Sequence, residues 1–310
     1  MEKSSKSILL ALLILAIVVV VCIFGTNIKK LNFDNKESTV KSNTQITNLN
    51  EYTDIKLDNK NNETENKKDD YYPLKILGVS NKLSQSENDS LNNWRKSIVE
   101  VSKSNSESVY IDGRTDEKLV ALTFDDGPDA KVTPQLLKIL KENNIKASFF
   151  FIGERVKVYP SVVKQTFDDG NLVLSHSYAH PQLTKLAENE IKQEIISTEN
   201  EISKVINKKP AIIRPPYGDT NDLVISMCNA MQYKIVIWSI DTMDWAGDSE
   251  DNIVKNVVDN IRTGDIILMH SNEDKTKDVK ALSTIITQLK DKGYRFETLD
   301  EMLKIKAYKD

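Results

Sequence analysis

The rhythm of apolar and polar positions changes near residue 109. Beyond it, short β-branched or aromatic runs recur at Leu119–Phe124, Ala147–Ile152, Leu172–Leu174, Ala211–Ile213, Ile235–Ile240, Ile266–Met269 and around Tyr294–Phe296. Such runs between turn residues predict strands. Between them, apolar residues fall at helical spacing over Pro134–Glu142, Ser161–Phe167, Glu188–Ile206, Ile253–Ile261 and Val279–Leu289. This alternation predicts an α/β fold: a parallel sheet with helices outside, either a barrel or an open doubly wound sheet. Seven of the 10 glycines and seven of the 8 prolines follow residue 120, so the tight turns concentrate there too.

The first third of the chain has a different texture. Ile8 to Phe24 is an unbroken apolar run preceded by Lys3 and Lys6. At about 1.5 Å per residue it is just long enough to cross a hydrocarbon core of roughly 30 Å. It exceeds the usual apolar stretch of a signal peptide, and no A-x-A-like cleavage site follows. Residues 1–26 are therefore expected to be a basic cytoplasmic flank with an uncleaved single-pass transmembrane anchor, a cleaved signal peptide being the rival reading. The bulk of the chain is then extracytoplasmic. Residues 27–107 are rich in Asn, Lys, Ser, Asp and Glu, which predicts a low-complexity tether. Within it Leu91, Trp94, Ile98 and Val101 keep helical spacing, read here as a transient helix. Residues 108–310 are the expected folded domain.

Composition narrows the functions. Lys+Arg 42 against Asp+Glu 46 gives a net charge of −4 with no basic block, which argues against nucleic acid as a partner. The two cysteines make no disulfide framework, since Cys22 lies in the apolar run. Only three histidines are present, and all three fall in one informative set.

That set lies at predicted strand ends. Asp125 and Asp126 end the first strand, His176 and His180 follow the third, and Arg214 and Tyr217 follow the fourth. Asp241 and Asp244 follow the fifth, and His270 ends the sixth. A single Asp after a strand is commonly a cap or turn residue. Reactive side chains after five strands match the rim where barrel enzymes carry their sites. His176 and His180 are spaced i, i+4, which one helical turn would place on one face. Two imidazoles and a carboxylate make a three-ligand metal site with a position left for water.

Thr-Phe-Asp-Asp-Gly occurs twice, at Thr123–Gly127 and Thr166–Gly170. The first copy closes a strand pattern and leads into Pro128. The second closes a helical pattern, with Gly170 placed as a left-handed residue after the helix. Asp168 and Asp169 are thus expected to be solvated helix-end charges, and only the first copy to be chemical.

Thr123–Pro128, His176–His180, Arg214-Pro215-Pro216-Tyr217-Gly218, Asp241-Thr242-Met243-Asp244-Trp245 and Leu268-Met269-His270 stand in that order. Together they resemble the five motifs of the NodB-type polysaccharide deacetylases, carbohydrate esterase family 4, over about 200 residues. Ser175 departs from the Asn often found before the first histidine. The resemblance implies a distorted (β/α) barrel that deacetylates N-acetylated sugars. It implies that Asp126, His176 and His180 hold a divalent metal, most often zinc, with cobalt or manganese as alternatives. It makes Asp125 the general base, with Arg214 holding it and the Tyr217 backbone N–H facing the oxyanion. His270 becomes the acid tuned by Asp244, and Trp245 and Leu268 line the acetyl pocket.

The chemistry is coherent on its own terms. Amide hydrolysis needs an activated water, stabilisation of an oxyanion and a proton for a poor leaving group. A carboxylate beside His270 would raise its pKa, and Arg214 can grip a carboxylate at two points where Lys cannot. The expected substrate is cell-wall polysaccharide, first of all peptidoglycan N-acetylglucosamine. N-acetylmuramic acid, poly-N-acetylglucosamine, chitin and acetylated xylan are alternatives. The rival functions are a catalytically silent glycan-binding domain and an unrelated metal hydrolase.

Overall fold

The computed structural model describes residues 72–113 and 115–310. The expected anchor and most of the expected tether lie outside the described residues. Among those described, no helix is long and apolar enough to cross a membrane.

The chain runs α1 (Gln85–Ser104), β1 (Val109–Tyr110), β2 (Leu119–Asp125), α2 (Val132–Glu142), β3 (Ser148–Phe151), α3 (Gly153–Val158), α4 (Pro160–Asp168) and β4 (Leu172–Ser175). It continues α5 (Glu188–Ile206), β5 (Ile212–Ile213), α6 (Asp222–Ala230), β6 (Lys234–Val236), β7 (Ile240–Asp241) and α7 (Glu250–Val258). The last elements are β8 (Ile266–His270), α8 (Thr276–Asp291), β9 (Arg295–Phe296) and α9 (Leu299–Leu303). The strands lie in the order β1-β6-β5-β4-β3-β2-β8-β7, with β9 also on β2, and every pairing of named strands is parallel.

One predicted strand is in fact two. Ile235–Ile240 divides into β6, next to one edge of the sheet, and β7, at the other. Residues 237–239 connect them, with the Ile237 N–H donating to Tyr110 O and the Ser239 N–H to Ile266 O. So few residues span at most about 13 Å, so the sheet must curl until its edges approach. The architecture is a curled parallel-sheet half-barrel with helices outside, consistent with the barrel expected from the resemblance.

Parallel strands buried on both faces read as continuous apolar runs, and their side chains alternate between two layers. Ala121, Phe150, Leu174, Ile213 and Leu268 belong to the layer that also holds Trp238. Leu122, Phe124, Phe149, Val173 and Ile267 belong to the layer shared with Leu136, Ile202 and Ile285 of the outer helices. The predicted helices are present, with ends displaced by a few residues. For example, α2 starts two residues before Pro134 because Asp129 Oδ1 accepts from the Val132 and Thr133 N–H groups.

The segment before residue 108 needs a correction. The helix read as transient is α1, 20 residues long, closed by a capping box between Ser84 and Glu87. Ile98 and Val99 join the core, and Ser102 Oγ donates to Val109 O. Its apolar stripe has a partner, which polar composition alone does not reveal, so ordered structure begins well before Val109.

Candidate active site

Strand register builds the centre. Asp125 and His270 are paired positions on β2 and β8, and Ser175, just before His176, is paired with Ile213, just before Arg214. The carboxyl ends of the strands converge on a cavity of about 470 Å3. Asp125, Asp126, His176, His180, Tyr217, Trp245, Leu268 and His270 all line it. Five non-glycine residues at this rim, Asp126, Ser177, His180, Tyr217 and Met243, have positive φ, so strained backbone concentrates where the chemistry is expected.

Asp126 Oδ1 lies 3.4 Å from His176 Nε2 and 3.3 Å from His180 Nε2. The three donor atoms fall within 4.8 Å of one another, and the buried Asp126 Oδ1 has no hydrogen-bond partner. His176 Nδ1, 2.7 Å from Arg214 O, donates to that carbonyl, so Nε2 is the ring nitrogen turned to Asp126. Burial and neighbouring His176 push His180 down to about 4, so its imidazole is neutral as a ligand must be. Burial opposes charge on Asp126, yet the adjacent imidazoles hold its carboxyl well below the usual range. The set fits a divalent cation. The histidines do not share a helical turn as expected; they flank a loop in which Ser177 and His180 are left-handed.

Asp125 is nearly fully buried, and its Oδ1 accepts from Arg214 Nη1 at 2.7 Å. The expected two-point grip is not formed. Arg214 sends Nε to Val236 O and Nη2 to Ile237 O, because those carbonyls would otherwise be unsatisfied beside it where β6 ends. Nη1 also donates to Thr123 Oγ1. Burial lowers the Arg214 pKa, although the Asp125 charge and hydrogen bond oppose the shift. Asp125 Oδ2 lies 3.8 Å from His176 Nε2.

His270 Nδ1 lies 2.8 Å from Asp244 Oδ1, and the Asp244 carboxylate also accepts from the His270 and Trp245 backbone N–H groups. Burial opposes protonation, but the charge and hydrogen bond of Asp244 prevail and raise His270 to about 10. Trp245 is half exposed and its Nε1 donates to Asp241 Oδ1 at 3.1 Å. Leu268 is buried at the cavity wall. Ser175 Oγ, at the departure from the family pattern, is buried without a partner.

Sequence reasoning missed four contributors. Trp238 lies at 5.5 Å over the Arg214 guanidinium. Asp278 on α8 is buried near Asp244, and burial together with that charge raises its carboxyl well above the usual range. Trp94 and Arg95 come from α1, whose helical spacing was legible but whose destination was not.

The polysaccharide deacetylase family model matches residues 112–236. A peptidoglycan-N-acetylglucosamine deacetylase of Bacillus cereus is 43% identical over 185 residues, 59% of this chain and 67% of that protein. Among solved structures, the Bc1960 peptidoglycan N-acetylglucosamine deacetylase superimposes with a TM-score of 0.64 at 39% identity, covering 66% of this chain and 97% of that one. BA3943 of Bacillus anthracis, described as a family 4 pseudoenzyme, gives 0.60 at 32% identity, covering 63% and 69%.

Proposed function

This chain belongs to the polysaccharide deacetylase family, and we propose that it hydrolyses acetamido groups of cell-wall glycan, with peptidoglycan N-acetylglucosamine as its substrate. One observation carries the reading: a carboxylate outside the metal set, Asp125, and an acid held charged, His270, line the same cleft as the Asp126–His176–His180 set.

Asp126, His176 and His180 would hold the metal, proposed as zinc from the His/His/carboxylate donors, with cobalt and manganese accepted by the same set. When bound, the ion supplies an acidified water and positive charge for a developing oxyanion. Asp125, fixed at one oxygen by Arg214, takes the proton of the attacking water on its other oxygen. The Tyr217 backbone N–H, on a turn held in the left-handed region, donates to the oxyanion. His270, with Nδ1 committed to Asp244, gives the Nε2 proton to the departing amine. Trp245 and Leu268 enclose the acetyl methyl group.

A silent glycan-binding domain is the second reading, since the family includes a pseudoenzyme. Against it, this chain keeps both Asp125 and His270. Membrane anchorage with an extracytoplasmic domain is part of the proposal and is supported by the Ile8–Phe24 run. Acetate release from N-acetylglucosamine oligomers, assayed with and without chelator, tests the function. Chelator-sensitive release is expected; glycan binding without release would leave the silent domain.

A further inference from the structure

The first helix lies ahead of the family-model match, which begins at residue 112, yet it reaches the catalytic cleft. Ser90, Leu91 and Trp94, on consecutive turns of one face, line the same cavity as Asp126 and His180. Leu91 and Trp94 are only partly buried, so among the described residues their apolar surface faces the cleft without a protein partner covering it.

The contacts behind that wall run to catalytic elements. The Trp94 ring packs on Trp238 at 5.4 Å. Both indoles press on Gly218, where an added Cβ would lie 2.7 Å from Trp94 Cζ2 and 2.7 Å from Trp238 Cη2. Gly218 directly follows Tyr217, and both are left-handed, so the turn presenting the Tyr217 N–H rests on the Trp94 face. The next residue, Arg95, donates to Gly78 O and lies 3.5 Å from Asp241 Oδ2. Asp241 in turn accepts from Trp245 Nε1. The preceding segment is stitched to the same strand end, with the Leu77 N–H donating to Ser239 O and the Asp241 N–H to Leu77 O.

Resting on the deacetylase reading, we propose that α1 is a working part of the active site: Leu91 and Trp94 form an apolar wall that binds the sugar units flanking the reacting one, and Trp94 is a positioning residue for the oxyanion turn. The ligand chemistry follows from the wall. Pyranose rings carry apolar C–H faces that pack on indole and aliphatic surface, while their hydroxyls stay in the open cleft. A small acetate ester has no flanking sugar units to place against Leu91.

The test uses the full chain with two substrates, an N-acetylglucosamine hexamer and a small aryl acetate, and also measures hexamer binding by calorimetry. Leu91→Ala should weaken hexamer binding and raise its KM roughly five- to tenfold, the scale of one lost apolar contact. Its kcat/KM for the aryl acetate should stay within about twofold of wild type. Trp94→Ala should lower kcat on both substrates, and Trp94→Phe should restore most of it. Circular dichroism and Tm report folding of each variant.

Unchanged hexamer binding in folded Leu91→Ala overturns the proposal, as does an equal loss on both substrates. Hexamer binding by wild type without acetate release defeats the deacetylase reading alone. If that binding weakens in Leu91→Ala, the wall stands as a glycan subsite.

Discussion

The two copies of Thr-Phe-Asp-Asp-Gly share every side chain and almost nothing else. In the first, Thr123 Oγ1 donates to Ile267 O and accepts from Arg214, Phe124 stacks on Phe149 in the core, and Asp126 turns left-handed at φ 66°. In the second, Thr166 Oγ1 donates back to Val162 O one helical turn earlier, and Phe167 packs edge-on to Tyr308. Asp125 is buried against a fully buried guanidinium, while Asp168 is half exposed beside Lys164. Asp126 faces two imidazoles; Asp169 pairs with Lys141. A carboxylate becomes a ligand or a base through its neighbours and desolvation, and the pentapeptide brings neither.

Paired substitutions put that contrast at risk. The largest effect is expected at the fourth position. Asp126→Ala should lose bound metal and activity together, while Asp169→Ala should cost no more than about 1 kcal/mol of stability, the range of a surface ion pair. Elemental analysis beside acetate release checks both, and full metal occupancy in Asp126→Ala would end the ligand assignment.

At the third position, Asp125→Asn keeps shape and removes the basic oxygen, so turnover should fall by roughly 10²–10⁴ with metal retained. Asp168→Asn should leave turnover unchanged and shift stability by a few tenths of a kcal/mol. Comparable losses of activity would erase the distinction between the copies.

Only the first copy has an acid beside it, and the pH profile exposes this. Asp125 must be ionised and His270 protonated, so the rate is bell-shaped. Because Asp244 raises His270 to about 10, the alkaline limb should lie well above neutrality in wild type. Asp244→Asn should draw that limb down toward the ordinary imidazole value of 6.5, with the acid limb nearly fixed. The same shift has a stability sign. The folded state holds the His270 proton more tightly than the unfolded chain, so this contribution is complete below about 6.5 and is lost as pH rises toward about 10. Melting temperatures across that range should fall more steeply in wild type than in Asp244→Asn.

The smallest contrast lies at the glycines. A Cβ at Gly127 would lie 2.4 Å from Ser271 Oγ, whereas Gly170 has room but a φ of +85°. Gly170→Ala should cost about 1 kcal/mol through backbone strain alone. Gly127→Ala should additionally lower kcat, because Ser271 holds the Asp125 backbone by donating from its N–H and Oγ to the Asp125 carbonyl.

Much of this is legible in the sequence. Periodicity located the strands and helices, Pro128 and Gly170 told the duplicated motifs apart, and five spaced motifs named residues that line one cleft or, like Arg214 and Asp244, lie buried behind its lining. The division of Ile235–Ile240 was not legible, because six consecutive residues of apolar character carry no mark of where hydrogen bonding changes sides. Nor was the left-handed loop between His176 and His180, since i, i+4 spacing suits either a helical turn or a tight loop.

The sequence by itself determined the chemistry available: three imidazoles, a pair of adjacent carboxylates, one arginine and one indole at the ends of strands. Local patterns carry that much because side-chain type and backbone period are properties of neighbouring residues. The tertiary structure alone decided what each group does. Register set Asp125 beside His270, burial raised the Asp278 carboxyl above the usual range, and a helix from the polar first third closed one wall of the cleft. Those outcomes depend on distances between residues far apart in the chain, and on the water excluded when they meet. Neither is written in any window of sequence.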